Sequence, residues 1–220
     1  MAPILNIARS AIQIKSGLQR QNCIETLKPP SLRDHTQLYD HGIPKHMPTM
    51  LMPDAQVPSL EINTTDGDKW TLANQSPDNF TMIVFYRGLH CPVCKSYLQK
   101  LHALSNDYKN AGFAIVAVSM NTESLAKQTV DDWQLHGLTI GHSLSEADAR
   151  AWGLYISTAI KDGEADMFNE PGLFWVRSDG RLYLADVSNM PWSRPDLAFL
   201  QSKIPFAVEK KYPARGNHSS

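Results

Sequence analysis

The chain has 220 residues and carries 21 Lys and Arg against 22 Asp and Glu, a net charge of −1 at pH 7. This near-neutral balance excludes a nucleic-acid surface built on excess positive charge, and no apolar run approaches the roughly 20 residues of a membrane span. Three cysteines, two of them in one motif, argue against a secreted disulfide scaffold and for a reducing, cytoplasmic compartment where the pair can turn over.

Residues 1–24 contain Arg9, Lys15 and Arg20 and no acid, with Ile4, Leu5, Ala8, Ala11, Ile12 and Ile14 giving a weakly amphipathic helical pattern. This segment reads as an N-terminal arm; a mitochondrial transit peptide is the alternative. Residues 28–58 are rich in proline, with His35, His41 and His46 scattered among them. Periodicity is lost there, which predicts an extended connector. The histidines share no regular spacing with acids or cysteines, so no metal is expected. Cys23 reads as a free thiol, with a resolving role as the alternative. Residues 1–49 are therefore an arm and connector, 50–210 the folded domain and 211–220 a flexible tail.

The domain opens with Leu60–Asn63 and Trp70–Leu72 around Asp66-Gly67, a hairpin signal. Met82-Ile83-Val84-Phe85-Tyr86 is an apolar run of strand length. Arg87 to His90 turn the chain into Cys91-Pro92-Val93-Cys94, and a helix follows, with Val93, Tyr97, Leu98, Leu101, Leu104 and Tyr108 on its expected inner face. Pro92 suits the first helical position, because its missing N–H would lack a partner there anyway. That makes Cys91 the N-cap and puts Cys94 in the first turn. Unpaired N–H groups and partial positive charge at a helix start favour thiolate over thiol, and such sites bring cysteine pKa values into the range ~3.5–7.5. Residues three apart share a helix face, so the two sulfurs can meet.

A structural zinc site would need a second Cys/His pair, and only Cys23 remains. Haem attachment would need His after the second cysteine, where Lys95 stands. Neither metal nor other cofactor is expected.

Phe113–Val118 is a second buried strand. Thr122–Leu135 reads as a helix with Leu125, Val130 and Trp133 inward, Leu138–His142 as a short strand, and Ser145 as the cap of a helix ending near Gly153. Gly172–Val176 and Arg181–Ala185 flank Ser178-Asp179-Gly180, a second hairpin. Ser193-Arg194-Pro195-Asp196 opens a last helix with Leu197, Leu200 and Ile204 inward, and the chain is expected to fray from Tyr212. The order predicts an α/β fold, a central mixed sheet with helices on both faces.

With these residues in place, the chain resembles the thioredoxin-like superfamily and, within it, the peroxiredoxin-like branch (alkyl hydroperoxide reductase C / thiol-specific antioxidant). The resemblance spans roughly residues 50–210 and rests on Val84-Phe85-Tyr86, on the strand–turn–helix from Asn79 to Leu104, on Leu138–Leu154, and on the closing hairpin from Pro171 to Leu184. It implies a thioredoxin-like fold. Peroxiredoxins carry Pro-x-x-x-Thr-x-x-Cys around the attacking cysteine. Laid over this chain, that pattern makes Cys94 the attacker, puts Cys91 where Thr belongs and Arg87 where Pro belongs. Thioredoxin instead attacks with the first cysteine and has a buried acid six residues before it; here that position is Phe85. Pro171 resembles the cis-proline that faces the Cys-x-x-Cys of thioredoxin-like folds, so a cis Glu170–Pro171 bond is expected.

The resemblance implies a thiol-dependent antioxidant enzyme that cycles Cys91 and Cys94 between dithiol and disulfide, with Cys94 the expected attacker on peroxide and Cys91 resolving. Hydroperoxide is the expected substrate and thioredoxin or glutathione the thiol donor. Arg87 is the candidate for stabilising the thiolate or the peroxide oxygens, with Tyr86 and Pro92 as supporting residues. The alternatives are general protein disulfide exchange, which would want an apolar groove near Pro171 lined by Met190, Pro191 and Trp192, and a non-catalytic redox-sensing or binding module. No nucleic-acid or membrane partner is expected, and a homodimer is left open.

Overall fold

The computed structural model describes residues 50–218; the expected arm and connector, Cys23 and the three scattered histidines lie outside them. A seven-stranded mixed sheet runs in the order β2-β1-β5-β4-β3-β8-β9. Its strands are β1 (Glu61–Thr64), β2 (Lys69–Thr71), β3 (Phe80–Phe85), β4 (Phe113–Val118), β5 (Ile140–His142), β8 (Gly172–Arg177) and β9 (Leu182–Val187). β3 pairs in parallel with β4 and antiparallel with β8, so it is enclosed by neighbours on both sides. All six of its residues are buried, which is why the sequence there is an unbroken apolar run rather than an alternating one. Two further strands, β6 (Ile156–Thr158) and β7 (Met167–Asn169), form a separate small hairpin that the sequence pattern did not reveal.

Successive side chains of β3 point to opposite faces. Met82, Val84 and Tyr86 pack into one core with α1 (Pro92–Asn110), α2 (Glu123–Trp133) and α4 (Leu197–Glu209), through Leu98, Leu101, Trp133, Leu197 and Ile204. Ile83 and Phe85 pack into the other with Trp152, beside α3 (Glu146–Ala151), and with Phe174. The expected mixed sheet with helices on both faces is present. Cys91 and Cys94 both belong to the first core.

Several elements differ in detail from the sequence expectation. The buried face of α1 is Cys94, Leu98, Leu101, Ser105 and Tyr108, while Val93 is 37% exposed. The expected Leu98, Leu101 and Tyr108 are buried and Tyr97 and Leu104 pack on the core, so the difference lies in the first turn, where Cys94 points inward in place of Val93. On α2 the buried positions are Ala126, Thr129 and the expected Trp133, while Leu125 and Val130 are only partly buried. The last helix begins at Leu197, with the Asp196 carboxylate accepting the Phe199 N–H at 2.8 Å. Ser193 to Pro195 thus remain loop. The expected fraying from Tyr212 is not seen through Gly216: the Tyr212 ring packs on Phe206 at 5.2 Å and Ala214 is 5% exposed. No helix among the described residues is long and apolar enough to cross a membrane.

Candidate active site

The site sits where β3 ends and α1 begins. Between them Gly88 adopts φ +130°, a conformation that side-chain-bearing residues avoid. A Cβ there would stand 2.5 Å from Asn121 Oδ1. The turn is closed by the Cys91 N–H donating to the Gly88 carbonyl at 3.1 Å. Cys91 is the N-cap of α1 in extended conformation, Pro92 occupies the first helical position, and the Cys91 Sγ accepts the Cys94 N–H at 3.2 Å. The cap geometry expected from Cys-Pro-Val-Cys is therefore present. Both cysteines are free and buried, at 1% and 0% exposure.

The two sulfurs differ electrostatically. The hydrogen bond from the Cys94 thiol is the main influence that lowers the Cys91 pKa to about 6; burial opposes it, and the Cys94 N–H, Arg194 and Arg87 reinforce it. Burial pushes Cys94 well above the usual thiol range, and its hydrogen bond to Cys91 adds to this, with Arg194 pulling the other way. The pair therefore shares one negative charge that rests on Cys91 at neutral pH.

Arg194 is the residue that the sequence reading did not place in the site. Its Nη2 donates to Cys94 Sγ at 2.8 Å, from 100 residues further along the chain. The guanidinium carbon lies 4.8 Å from the centre of the Tyr97 ring, and the Tyr97 hydroxyl donates to the Pro195 carbonyl at 3.0 Å. One cation–π face and one hydrogen bond from the second turn of α1 thus hold the loop against the sulfur. The only sequence signal was a lone arginine in a loop flanked by Ser193 and Pro195, just before a helix cap.

The guanidinium of Arg87, the candidate for anion stabilisation, is engaged elsewhere. It pairs with Glu170 at 3.3 Å and Glu164 at 3.6 Å, and it stacks over Phe168 at 4.6 Å. The contact with Glu170 is an ion pair without hydrogen-bond alignment, since Arg87 Nε and Glu170 Oε2 make no hydrogen bond to each other or to any other described group. Glu170 Oε1 accepts the Ser157 hydroxyl at 2.7 Å, so these charges tie the β6–β7 hairpin to the active-site turn. Only the Arg87 backbone N–H bears on Cys94. His90 packs against Phe168 at 4.7 Å, and burial followed by the Arg87 charge holds its imidazole below the usual range.

Tyr86 lies under the cysteines in the first core. Burial pushes its phenol up to about 12, offset in part by the Ser119 and Thr129 hydroxyls. Its backbone carbonyl accepts from Asn169 Nδ2 at 3.2 Å, and Asn169 Oδ1 accepts the Met120 N–H at 3.3 Å. Asn169 thereby clamps the ends of β3 and β4 to β7, another role with no sequence signature.

The expected cis bond at Pro171 is absent: Glu170–Pro171 is trans. Pro171 stands just ahead of the first ladder position, Gly172, which pairs with both Phe85 and Val187. Its missing N–H costs no sheet bond, and its carbonyl accepts the Ser188 N–H at 3.0 Å. The Glu170 N–H donates to the Tyr155 carbonyl at 2.8 Å, which keeps the approach extended. Pro171 does share a small lining with Tyr97, Arg194 and Pro195, but these close on one another with no room for a water molecule. Among the described residues the packing beside Pro171 is thus closed at this point, although Trp192 and Met190 are 71% and 43% exposed on the adjoining turn. Cavities of about 710 and 410 Å³ lie elsewhere and include neither cysteine. The sulfurs and Arg194, not the larger hollows, define the chemistry. Among the described residues no group of three or more His, Cys, Asp or Glu side chains is placed to hold a metal.

Comparison with solved structures gives the same fold. The peroxidoxin BcpB from Mycobacterium tuberculosis superposes with a TM-score of 0.60 at 12% identity, over 72% of this chain and 99% of that one. Reduced Prx3 from Vibrio vulnificus, solved in complex with H2O2, gives 0.59 at 13% identity, over 70% and 99%. A hypothetical protein from Sinorhizobium meliloti gives 0.55 at 19% identity, over 76% and 88%. Among curated proteins none matches the sequence. The family model for the AhpC/TSA family matches residues 53–185, a span that holds β1 to β8, both cysteines and most of β9. The chain belongs to the AhpC/TSA family and is, by that membership, a thiol-dependent antioxidant oxidoreductase.

Proposed function

We propose that this enzyme reduces hydroperoxides through a Cys91/Cys94 dithiol–disulfide cycle in which Cys91 attacks first and Cys94 resolves. The observation that carries this order is the cap geometry: the Cys91 sulfur sits at the start of α1 and accepts the Cys94 N–H at 3.2 Å, and its charged form is favoured. The order departs from the peroxiredoxin overlay, which put the attack on Cys94; there, burial and the neighbouring sulfur keep the proton on. Family membership supports a hydroperoxide as oxidant, and the neighbour from Vibrio vulnificus was solved with H2O2.

In the first step the Cys91 thiolate attacks one peroxide oxygen. An S–O bond forms, the O–O bond breaks, and the alkoxide or hydroxide takes up a proton and leaves. Cys91 is oxidised by two electrons to the sulfenic acid while the peroxide is reduced. In the second step Cys94 loses its proton and attacks the Cys91 sulfur. The S–S bond forms, and hydroxide leaves with that proton as water. A thiol donor of the thioredoxin or glutathione class then returns the pair to dithiol by exchange. Such a cycle needs a reducing compartment, for which the cytoplasm is the proposed setting. Pro92 supports it by setting the helix entry, and Arg87 by its backbone N–H and its ties to the hairpin. Tyr86 supports it as the buried floor.

The test is consumption of hydrogen peroxide and an organic hydroperoxide by the full chain, with thioredoxin plus its reductase and with glutathione as alternative donors. Sustained turnover that is lost in Cys91→Ser is expected. No turnover with any donor, combined with rapid reduction of insulin disulfides, would overturn the peroxide reading in favour of protein disulfide exchange.

A further inference from the structure

Resting on the Cys91-first order, a difficulty arises at the second step. Cys94 is fully buried, and burial opposes the loss of its proton. The position where thioredoxin carries a buried acid is Phe85 here. The groups facing the Cys94 sulfur come from four places: the Cys91 sulfur at the cap, the Arg87 N–H in the turn, the Tyr86 phenol just past the end of β3, and the Arg194 guanidinium from the loop before α4. Once Cys91 is oxidised none of these is a base, and Arg194 is the one full positive charge in direct contact.

Arg194 is held in an unusual state. Its Nη2 bonds Cys94 Sγ at 2.8 Å, while its Nε and Nη1 are buried and have no hydrogen-bond partner. Among the described residues no carboxylate comes within ion-pair distance of it. A mostly buried cation with no carboxylate partner is costly to maintain. The loop that carries it is nonetheless fastened on both sides, by Ser188 bonded to the Ser193 carbonyl and by Tyr97 bonded to the Pro195 carbonyl. Its anionic partner is therefore the sulfur pair itself, whose charge rests on Cys91 before oxidation.

We propose that Arg194 activates Cys94 as the resolving nucleophile, and that it acts selectively after Cys91 has been oxidised. In the resting pair the negative charge on Cys91 opposes a second charge on Cys94, both through the hydrogen bond they share and through repulsion. Conversion of Cys91 to a neutral sulfenic acid, or to a mixed disulfide, removes both of those influences. Arg194 stays in place, so its charge then acts on Cys94 alone. Oxidation of the first sulfur thus switches on the second, with no movement of the chain required.

The experiment follows resolution separately from peroxide chemistry. Reduced full-length protein carrying Cys23→Ser, so that only the Cys91/Cys94 pair reports, is mixed with dithiodipyridine across a range of pH. Attack by Cys91 releases the first thiopyridone and leaves a mixed disulfide; attack by Cys94 releases the second and closes the Cys91–Cys94 bond. A hydrogen bond to a charged group corresponds to roughly a 10–100-fold effect. In Arg194→Gln the second release should slow by about that factor and its pH midpoint should move upward, while the first release changes less. Arg194→Lys, which keeps a charge but not the fork, should recover part of the loss, and it serves as the second variant if Gln disturbs the loop. A second phase with unchanged rate and pH midpoint in both variants would overturn the role of Arg194. Equal slowing of both phases with no shift in midpoint would also overturn it, since that is the mark of a merely structural residue. Because the probe is a disulfide, a failure of the hydroperoxide reading leaves this outcome legible: peroxide would then produce no turnover while the two phases still appear.

Discussion

Replacing Cys94 isolates the interaction that sets the charge on Cys91. Its thiol is the main influence holding the Cys91 pKa at about 6. A hydrogen bond to a charged acceptor contributes about 1.5–3 kcal/mol, and 1.36 kcal/mol corresponds to one pKa unit. Cys94→Ala should therefore raise the Cys91 midpoint by about 1–2 units. The rise stops short of the ordinary thiol value because the residue-94 N–H remains, as does Arg194. At pH 6.5 the thiolate fraction would fall from roughly three-quarters to below about a quarter. Cys94→Ser keeps a donor at the same place and should hold the midpoint within about half a unit of wild type. The assay is alkylation by iodoacetamide against pH, with the adduct located by mass spectrometry. The midpoint is the quantity to compare, because intrinsic nucleophilicity falls as pKa falls and absolute rates mix the two effects. Identical midpoints for the Ala and Ser variants would refute the reasoning, as would a wild-type midpoint near that of a free cysteine.

Two further predictions concern the frame around the sulfurs. Gly88→Ala forces a Cβ into contact with Asn121 at φ +130°, and it should cost about 1–3 kcal/mol in urea unfolding; a variant as stable as wild type would show that the turn is not constrained. Glu170→Ala leaves the mostly buried Arg87 with one weaker partner and the Ser157 hydroxyl without its acceptor, and a loss of about 3 kcal/mol is expected. Glu170→Gln, which keeps an acceptor for Ser157, should lose less, and equal losses in the two variants would contradict the assignment.

What could be read in the sequence follows from how local its causes are. The β3 run, the Cys91 cap, Pro92 at the helix start and the Ser145 cap depend on neighbours within four residues, and the structure contains each of them. On α1 the expected Leu98, Leu101 and Tyr108 are buried and Tyr97 and Leu104 pack on the core, while Cys94 rather than Val93 leads the inner face, because apolar periodicity does not count a cysteine that points inward. The role expected of Arg87 rested on nearness in sequence. A guanidinium has the reach to turn away, and it pairs with Glu164 and Glu170, carboxylates contributed by the β6–β7 segment, while its charge still favours the Cys91 thiolate from a distance. Arg194 and Asn169 act across 100 and 83 residues. Nothing in their own neighbourhoods marks them, since the pairing of β8 with β3 and the docking of α4 on α1 are what bring them to the site. The trans bond at Pro171 shows the limit of reading a role from a matching segment: a proline just before a strand satisfies the sheet without being cis.

The order of attack is open to one direct measurement. Reduced Cys94→Ser protein is treated with a single equivalent of hydrogen peroxide, trapped with dimedone and digested for mass spectrometry, with Cys91→Ser treated in parallel. A dimedone adduct on Cys91 in the first variant, with little on Cys94 in the second, is the predicted result. An adduct on Cys94 in the second variant, with Cys91 unmodified in the first, would reverse the roles and contradict the Cys91-first cycle.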